Sequence, residues 1–135
     1  MQSEMGVRRV IDLLIEKVAA YVIILFGSSG KGLAREDSDM DIAYLGDRML
    51  DSYENFMFAQ ELAGVIGRDV DLLNLSLVST VMKAQIITSG KVIYCSDEMR
   101  KADFFIKALK EYALLNEERV VVLREIKRRG TVYGE

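Results

Sequence analysis

Histidine and proline are absent from the 135 residues, and cysteine occurs once. Without histidine, the chain lacks histidine general bases, Ser-His-Asp triads and most transition-metal sites. Its available chemistry is therefore that of carboxylates, hydroxyls, lysines and hard metal ions. The single cysteine, Cys95, excludes an internal disulfide and fits a reducing compartment, so we expect a cytoplasmic protein in which this thiol is inert packing.

Long apolar runs and an excess of positive charge are also missing. No apolar stretch approaches the roughly 20 residues that a membrane span needs, and the N-terminal residues do not resemble a signal peptide. The net charge of -3 argues against a dedicated nucleic-acid binder, which normally has a basic face. Half of the residues are hydrophobic, as in globular proteins. With no proline to mark a breakpoint, we expect a single domain over residues 1–135 and no membrane association.

Apolar periodicity alternates along the chain between helical and extended segments, and it predicts an α/β fold. The continuous apolar run at 21–26, rich in β-branched residues, predicts a strand covered on both faces. Further strands are predicted at 39–45, 69–75 and 91–95. Helices are predicted in four places: up to Val18 with Ser3 as cap, from 51 or 52 to Gly67, from a cap at Ser76 to Gly90, and from Asp97 towards Arg129.

Two of these helices carry an apolar side that we expect to face the core. In the second helix it consists of Phe56, Ala59, Ala63 and Ile66. In the last helix it consists of Phe105, Ala108, Leu109, Tyr112, Leu115 and Leu123. The β-branched run at 119–123 is less typical of a helix, whereas the basic residues at 127–129 suit a helix C-terminus.

Two acidic residues one position apart, Asp39 and Asp41, begin the second predicted strand. Side chains alternate in a strand, so both point to one face with α-carbons about 6.6 Å apart. Their mutual repulsion is relieved by a metal ion or a shared proton, and Mg²⁺ is commonly held by one or two carboxylates plus substrate phosphates. Asp71 in the third predicted strand could join them, with Asp69 as the alternative. Three carboxylates around two metal ions suit in-line nucleotidyl displacement.

Gly27 and Ser28 follow the first predicted strand and supply a candidate phosphate site. A glycine there lets a triphosphate approach the backbone closely. The following amides and the Ser28 hydroxyl could then donate hydrogen bonds to phosphate oxygens. Lys31, or less favourably Arg35, could add a positive charge.

These residues carry a family resemblance. The stretch "GSSGKGLAREDSDMD" resembles the G-S-x10-D-x-D signature of the polymerase-β-like nucleotidyltransferase superfamily, and "DVDLL" resembles the strand that bears its third carboxylate. The short length resembles the minimal nucleotidyltransferases (MNT), which are often antitoxins of HEPN-domain toxins. The resemblance covers Tyr21 to Cys95. It implies a small mixed sheet of about four strands flanked by helices, with a long C-terminal helix.

The resemblance also implies roles by position. Asp39 and Asp41 would ligate Mg²⁺, and Asp71 would activate the incoming hydroxyl or hold a second Mg²⁺. The implied nucleotide-binding residues are Gly27, Ser28, Lys31, which stands where many members have arginine, and Ser38, which would position the loop.

The activity that the resemblance implies is transfer of AMP from ATP to a hydroxyl, with release of pyrophosphate. For antitoxin-like members the acceptor is a tyrosine of a partner HEPN ribonuclease, which implies a hetero-oligomer. One alternative is inhibition by occlusion, with Phe104, Phe105, Leu109 and Tyr112 as an apolar docking stripe. Another is a small-molecule acceptor such as an aminoglycoside, although such enzymes usually carry an additional acceptor-binding domain. The intact set of carboxylates favours an enzyme over inhibition by occlusion, which would not need them.

Overall fold

The computed structural model of the protein describes residues 2–27 and 39–128. Strands and helices alternate along these two segments, as expected for an α/β fold. The elements are α1 (Gln2–Val18), β1 (Ala20–Phe26), β2 (Met40–Gly46), α2 (Ser52–Ile66), β3 (Val70–Asn74), a 3-10 turn (Leu75–Leu77), α3 (Thr80–Ser89), β4 (Lys91–Cys95) and α4 (Glu98–Arg128). Among the helices of these segments, none is long and apolar enough to cross a membrane.

The four strands form one mixed sheet in the order β3-β2-β1-β4. β1 is antiparallel to both β2 and β4, whereas β2 and β3 are parallel. A parallel pair needs a crossover connection, and α2 provides it. The expectation of a small mixed sheet with flanking helices is therefore confirmed.

Both faces of the sheet are covered, which explains why β1, in its interior, is a continuous apolar run. On the first face, α1 and α2 pack on a core that includes Leu14, Ile23, Ile42, Tyr44, Phe58, Leu62 and Leu72. On the second face, α3 and the first half of α4 pack on a core that includes Val22, Ile24, Ala43, Leu45, Leu75 and Ile86, with Phe104 and Phe105 beside it.

The helix α2 begins and ends where the sequence predicts. The Asp51 carboxylate accepts a hydrogen bond from the Glu54 N–H (2.7 Å), and the Glu54 carboxylate accepts one from the Asp51 N–H (3.0 Å), so the two form a capping box. Gly67 ends the helix with a φ of 70°, in the left-handed region that glycine adopts at low cost.

The inward face predicted for α2 is partly wrong. The buried residues are Phe58, Ala59 and Leu62, whereas Phe56 is 59% exposed. The helix carries apolar side chains on two faces, so periodicity alone could not choose between them. Contact with the sheet decides which face is buried.

Two predicted caps are also wrong. Ser76 lies in the 3-10 turn, and Ser79 caps α3 by accepting a hydrogen bond from the Met82 N–H (3.1 Å). The Asn74 side chain accepts from the Ser76 N–H (3.0 Å) and stabilises that turn, which delays the start of the helix. At the N-terminus, α1 begins at Gln2, so Ser3 lies inside its first turn.

The long C-terminal helix is confirmed, but its apolar side is only partly buried. The helix α4 has 31 residues, and Ala108 alone among them is fully buried. A helix of this length spans about 46 Å, whereas strands of five to seven residues span about 17–23 Å. The second half of α4 therefore extends beyond the sheet, and Leu123, which we expected to be inward, is 63% exposed.

Candidate active site

The parallel pairing of β2 and β3 brings Asp41 and Asp71 side by side. The two residues are register partners, and neighbouring strands lie about 4.8 Å apart. On its other side, Asp41 is paired with Phe26, the last residue of β1. Side chains alternate along a strand, so Asp41 shares the sheet face of Ala43 and Leu45. Both carboxylates therefore lie at one end of the sheet, on the face that α3 and α4 cover.

The electrostatics of the site centre on Asp41. Partial burial raises the pKa of its carboxyl group, and repulsion from the Asp71 carboxylate and then from Asp39 raises this pKa further. Carboxylates held close together disfavour ionisation unless a cation offsets their charge. A cation bound at this site would offset the repulsion between these carboxylates.

Gly27 stands directly against this carboxylate. Its φ is +64°, in the left-handed region, and a Cβ at this position would collide with the Oδ2 atom of Asp41. Two independent constraints therefore favour glycine here: the backbone conformation and the lack of space. The end of β1 and the acidic residue of β2 meet without an intervening side chain.

The donor set fits Mg²⁺ held jointly with a substrate. Within residues 2–27 and 39–128, no group of three or more His, Cys, Asp or Glu residues is arranged as a complete metal site. Mg²⁺ does not require one, because it prefers hard oxygen ligands and usually completes its shell with water and substrate phosphates around one or two carboxylates. Asp41 and Asp71 supply such a pair, and exposed Asp39 stands just before β2.

The other residues predicted for the site differ in what can be said of them. Ser28, Lys31 and Ser38 lie outside the described residues, as does Arg35. Asp69 precedes β3 and is exposed, and its carbonyl oxygen accepts a hydrogen bond from the Met40 N–H (2.8 Å). The register therefore aligns Asp71, rather than Asp69, with Asp41.

A polar connection beside Asp71 was not predicted from the sequence. The Asn55 Nδ2 of α2 donates to the Leu72 carbonyl of β3 (2.8 Å), and the buried Tyr44 hydroxyl donates to the Asn55 Oδ1 (3.1 Å). Because β3 is an edge strand, its outer backbone groups have no partner strand. Asn55 supplies a hydrogen bond to one of them, at Leu72, the residue that follows Asp71. An asparagine inside an apolar helical segment was the available signal.

Comparison with known proteins places this geometry in a family. The model of the polymerase beta nucleotidyltransferase family matches residues 8–99, more than half of the chain. The chain belongs to this family. The chain is 32% identical over 125 residues to the protein adenylyltransferase MntA of Shewanella oneidensis strain MR-1. The aligned residues cover 92% of this chain and 89% of that protein.

Solved structures of other nucleotidyltransferases of this kind share the fold. One is a toxin–antitoxin crystal structure with AMP-PNP, matched at a TM-score of 0.77 and 32% identity over 88% of this chain and 96% of that one. Another is the MNT antitoxin in complex with a tri-AMPylated HEPN toxin of Shewanella oneidensis, matched at a TM-score of 0.75 and 31% identity over 93% of this chain and 98% of that one. The fold is that of a minimal nucleotidyltransferase.

Proposed function

We propose that the protein is an adenylyltransferase antitoxin that transfers AMP from ATP to a hydroxyl group, a tyrosine, of a cognate HEPN toxin. The observation that carries the proposal is the alignment of Asp41 with Asp71 beside Gly27. It is supported by a relative named as a protein adenylyltransferase and by similar chains solved with AMP-PNP and with an AMPylated toxin.

In this proposal, the carboxylates of Asp39, Asp41 and Asp71 would hold two Mg²⁺ ions together with the substrate phosphates. Metal ions held there would supply charge neutralisation at the triphosphate and at the attacking and leaving oxygens. The pKa of Asp41 is raised by burial and then by repulsion from Asp71 and Asp39, and a cation would relieve this repulsion, which supports the assignment.

The remaining residues would bind and orient the nucleotide. In this proposal, the backbone at Gly27 would contact phosphate oxygens beside Asp41, and the Ser28 hydroxyl and the Lys31 ammonium would donate to them. Ser38, next to Asp39 in the sequence, would have a positioning role.

The transfer itself is an in-line substitution at the α-phosphorus of ATP. A bond forms between the acceptor oxygen and the α-phosphorus, and the bond from this phosphorus to the pyrophosphate oxygen breaks. The carboxylate of Asp71 accepts the proton of the acceptor hydroxyl. Pyrophosphate leaves, and the acceptor carries an AMP group next to the active site of the toxin.

Inhibition by occlusion alone is the second candidate. The observation that favours it is the exposed apolar surface in the second half of α4, which could bind a partner without chemistry. It explains neither the side-by-side carboxylates nor the glycine against them.

We also propose that the protein is cytoplasmic and consists of a single domain. The single cysteine fits the first proposal, and the one sheet that both cores share fits the second.

Intact-mass spectrometry of the toxin distinguishes the two candidates. The protein is incubated with the cognate toxin, ATP and Mg²⁺, and we expect the toxin to gain mass in steps of one AMP unit. The matched control combines Asp39→Asn and Asp41→Asn, and it should leave the toxin unmodified and active. A toxin that is neutralised equally well by this variant, without added mass, would contradict the enzymatic proposal.

A further inference from the structure

The second half of α4 has an apolar face that the described residues leave exposed. Val122, Leu123 and Ile126 are 54%, 63% and 50% exposed, and we refer to these three as the distal apolar face. Exposed apolar patches mark interaction sites when they reach several hundred Å², so a partner bound to these three side chains must also contact neighbouring surface.

The distal apolar face lies on the same side of α4 as the residues that pack the start of this helix against the second core. An α-helix returns to the same direction after five turns, about 18 residues and about 27 Å. The seating residues are Phe104, Phe105 and Ala108, and the positions five turns further on hold Val122, Leu123 and Ile126. The same side of the helix is thus covered near its start and exposed near its end.

The helix α4 begins at the end of the sheet that lies away from Asp41. Near its start, the Arg100 guanidinium stacks on the Tyr21 ring, 3.7 Å from the centroid, and forms an ion pair with Asp47 (2.8 Å). Tyr21 is near the start of β1 and Asp47 follows β2. Asp41 is paired with Phe26 at the other end of β1.

From there, α4 runs back towards the end of the sheet that carries the carboxylates. Lys83, in the first turn of α3, lies over the ring of Phe104, in the second turn of α4, at 5.6 Å from the centroid. The first turns of the two helices therefore lie side by side. The helix α3 finishes at Gly90, where a Cβ would lie 3.1 Å from the Leu25 carbonyl oxygen, close to the Asp41 end. From the place where α4 begins, its packing beside α3 and its 31 residues, we infer that the distal apolar face projects towards the end of the sheet that carries Asp41.

The face is too small to form a stable complex by itself. Full burial of an aliphatic side chain contributes about 1.5–3 kcal/mol, which at ~25 cal/mol per Å² corresponds to about 60–120 Å² of apolar area. Three half-exposed side chains therefore offer about 100–200 Å², whereas a stable complex buries about 800 Å² per partner. The occupant must also contact another surface, and a protein whose hydroxyl reaches Asp41 and Asp71 does so.

A second copy of this chain fits the face poorly. Arg119 lies in the middle of the apolar seam, and Glu111 and Glu118 line one edge, seven residues apart. Glu125 continues this edge, where it is ion-paired with Arg128 (2.6 Å). Two copies paired in parallel would place Arg119 against its own equivalent, and two antiparallel copies would place the glutamate rows together. Both arrangements bring like charges into contact. A different helix, with basic residues along the matching edge, avoids both.

We propose that the distal apolar face binds an amphipathic helix of the acceptor protein and thereby holds the acceptor hydroxyl near Asp41 and Asp71. This inference rests on the proposed function, in which the acceptor protein is the toxin. It makes the second half of α4 a substrate-docking element. It also moves the docking surface from Phe104 and Phe105, which pack beside the second core, to the end of the helix.

Two neighbouring valines provide a matched test. Val122 and Val121 are 54% and 62% exposed, and they point about 100° apart, with Val121 turned away from the seating face. We expect Val122→Asp to weaken toxin binding, measured by calorimetry, at least about tenfold, because it buries a carboxylate without a partner. Val121→Asp should bind within about threefold of the wild type. Equal thermal stability of the two variants excludes a folding defect, and Ile126→Asp should repeat the effect of Val122→Asp.

Kinetics with the intact toxin, ATP and Mg²⁺ should follow the binding. Val122→Asp should raise the KM for the toxin by the same factor and leave kcat at saturating toxin unchanged, because Asp41 and Asp71 are untouched. Equal affinity of the two valine variants for the toxin would overturn the inference, even if AMP transfer is observed. So would a protein that is dimeric alone and that Val122→Asp makes monomeric, since the occupant would then be a second copy. Toxin binding that depends on Val122, without any AMP transfer by the wild type, would instead refute the proposed function and leave the docking surface standing.

Discussion

At the scale of single residues, Asp41 is where stability and function oppose each other. Burial and the neighbouring carboxylates raise the pKa of Asp41 in the folded protein above the value of about 3.9 expected for the unfolded chain. Protonation of Asp41 therefore adds to the free energy of unfolding, and this contribution is complete at pH values below the pKa of the unfolded chain. This stabilisation is lost as the pH rises through the folded pKa. At neutral pH without a cation, the ionised site therefore lowers the free energy of unfolding.

Asp41→Asn should consequently stabilise the protein while inactivating it. In metal-free buffer, we expect a higher Tm than that of the wild type at pH 7, and a difference that shrinks to nothing as the pH falls below about 4. AMP transfer should fall more than about a hundredfold, since even outer-shell partners of a metal are worth 10–100-fold. Thermal unfolding across this pH range is the measurement. Asp12→Asn, an exposed residue on α1, is the control, and a Tm difference independent of pH would contradict the electrostatic explanation.

Gly27 makes a second prediction at this scale. Gly27→Ala should lower the free energy of unfolding by about 1–2 kcal/mol, the cost of a side chain in the left-handed region, and should abolish nucleotide binding because the new Cβ meets the Asp41 carboxylate.

Gly64→Ala is the matched control for this substitution. Gly64 lies inside α2, and a Cβ there would meet no atom within 4 Å. Alanine at this position should instead raise the free energy of unfolding by about 0.5–1 kcal/mol. Chemical denaturation and AMP-PNP titration measure both effects. Nucleotide binding by Gly27→Ala at wild-type affinity would show that the backbone at Gly27 is not a phosphate site.

At the scale of elements, the contact between α2 and β3 supports the alignment of the carboxylates. Asn55→Ala removes the donor to the Leu72 carbonyl and the acceptor of the Tyr44 hydroxyl. We expect a loss of about 1–3 kcal/mol in the free energy of unfolding, because partly buried polar groups lose their partners. We also expect a lower kcat with a nearly unchanged KM for ATP, because Asp71 is the neighbour of Leu72.

Gln60→Ala, at an exposed position on the same helix, should change neither quantity. If Asn55→Ala lowers stability but leaves kcat at the wild-type value, then Asn55 supports the fold without positioning Asp71.

The sequence predicted the strands to within one residue at each end, because each is a short, mainly apolar stretch of a sheet that is covered on both faces. It also predicted the limits of α2, since the cap at Asp51 and the stop at Gly67 are local signals. The buried face of α2 could not be predicted, because Phe56 and Phe58 are equally apolar and only the sheet distinguishes them. The start of α3 depended on which of two nearby serines acts as the cap.

At the scale of the whole molecule, the two faces of the sheet have different tasks. On one face, α1 and α2 complete a closed core, and Asn55 ties it to the edge strand. On the other face, Asp41 and Asp71 lie at the end of the sheet towards which α4 runs. A partner bound along the end of α4 would approach the carboxylates from that side.

This arrangement is the part of the site that sequence reasoning did not reach. That Asp39 and Asp41 lie close together could be predicted from the sequence, because residues one position apart in an extended chain point the same way. The exposure of Val122 was not, because it depends on how far α4 outruns a sheet whose dimensions only the assembled fold sets. The same holds for Asn55, whose partners are distant in the sequence.

The most direct test of the account is calorimetric titration of AMP-PNP into the protein with and without Mg²⁺. The account predicts saturable binding that requires Mg²⁺ in the wild type, and loss of this Mg²⁺-dependent binding in both Asp41→Asn and Asp71→Asn. If either variant binds the nucleotide with Mg²⁺ as tightly as the wild type does, the two aligned aspartates do not form one metal site, and the central claim is contradicted.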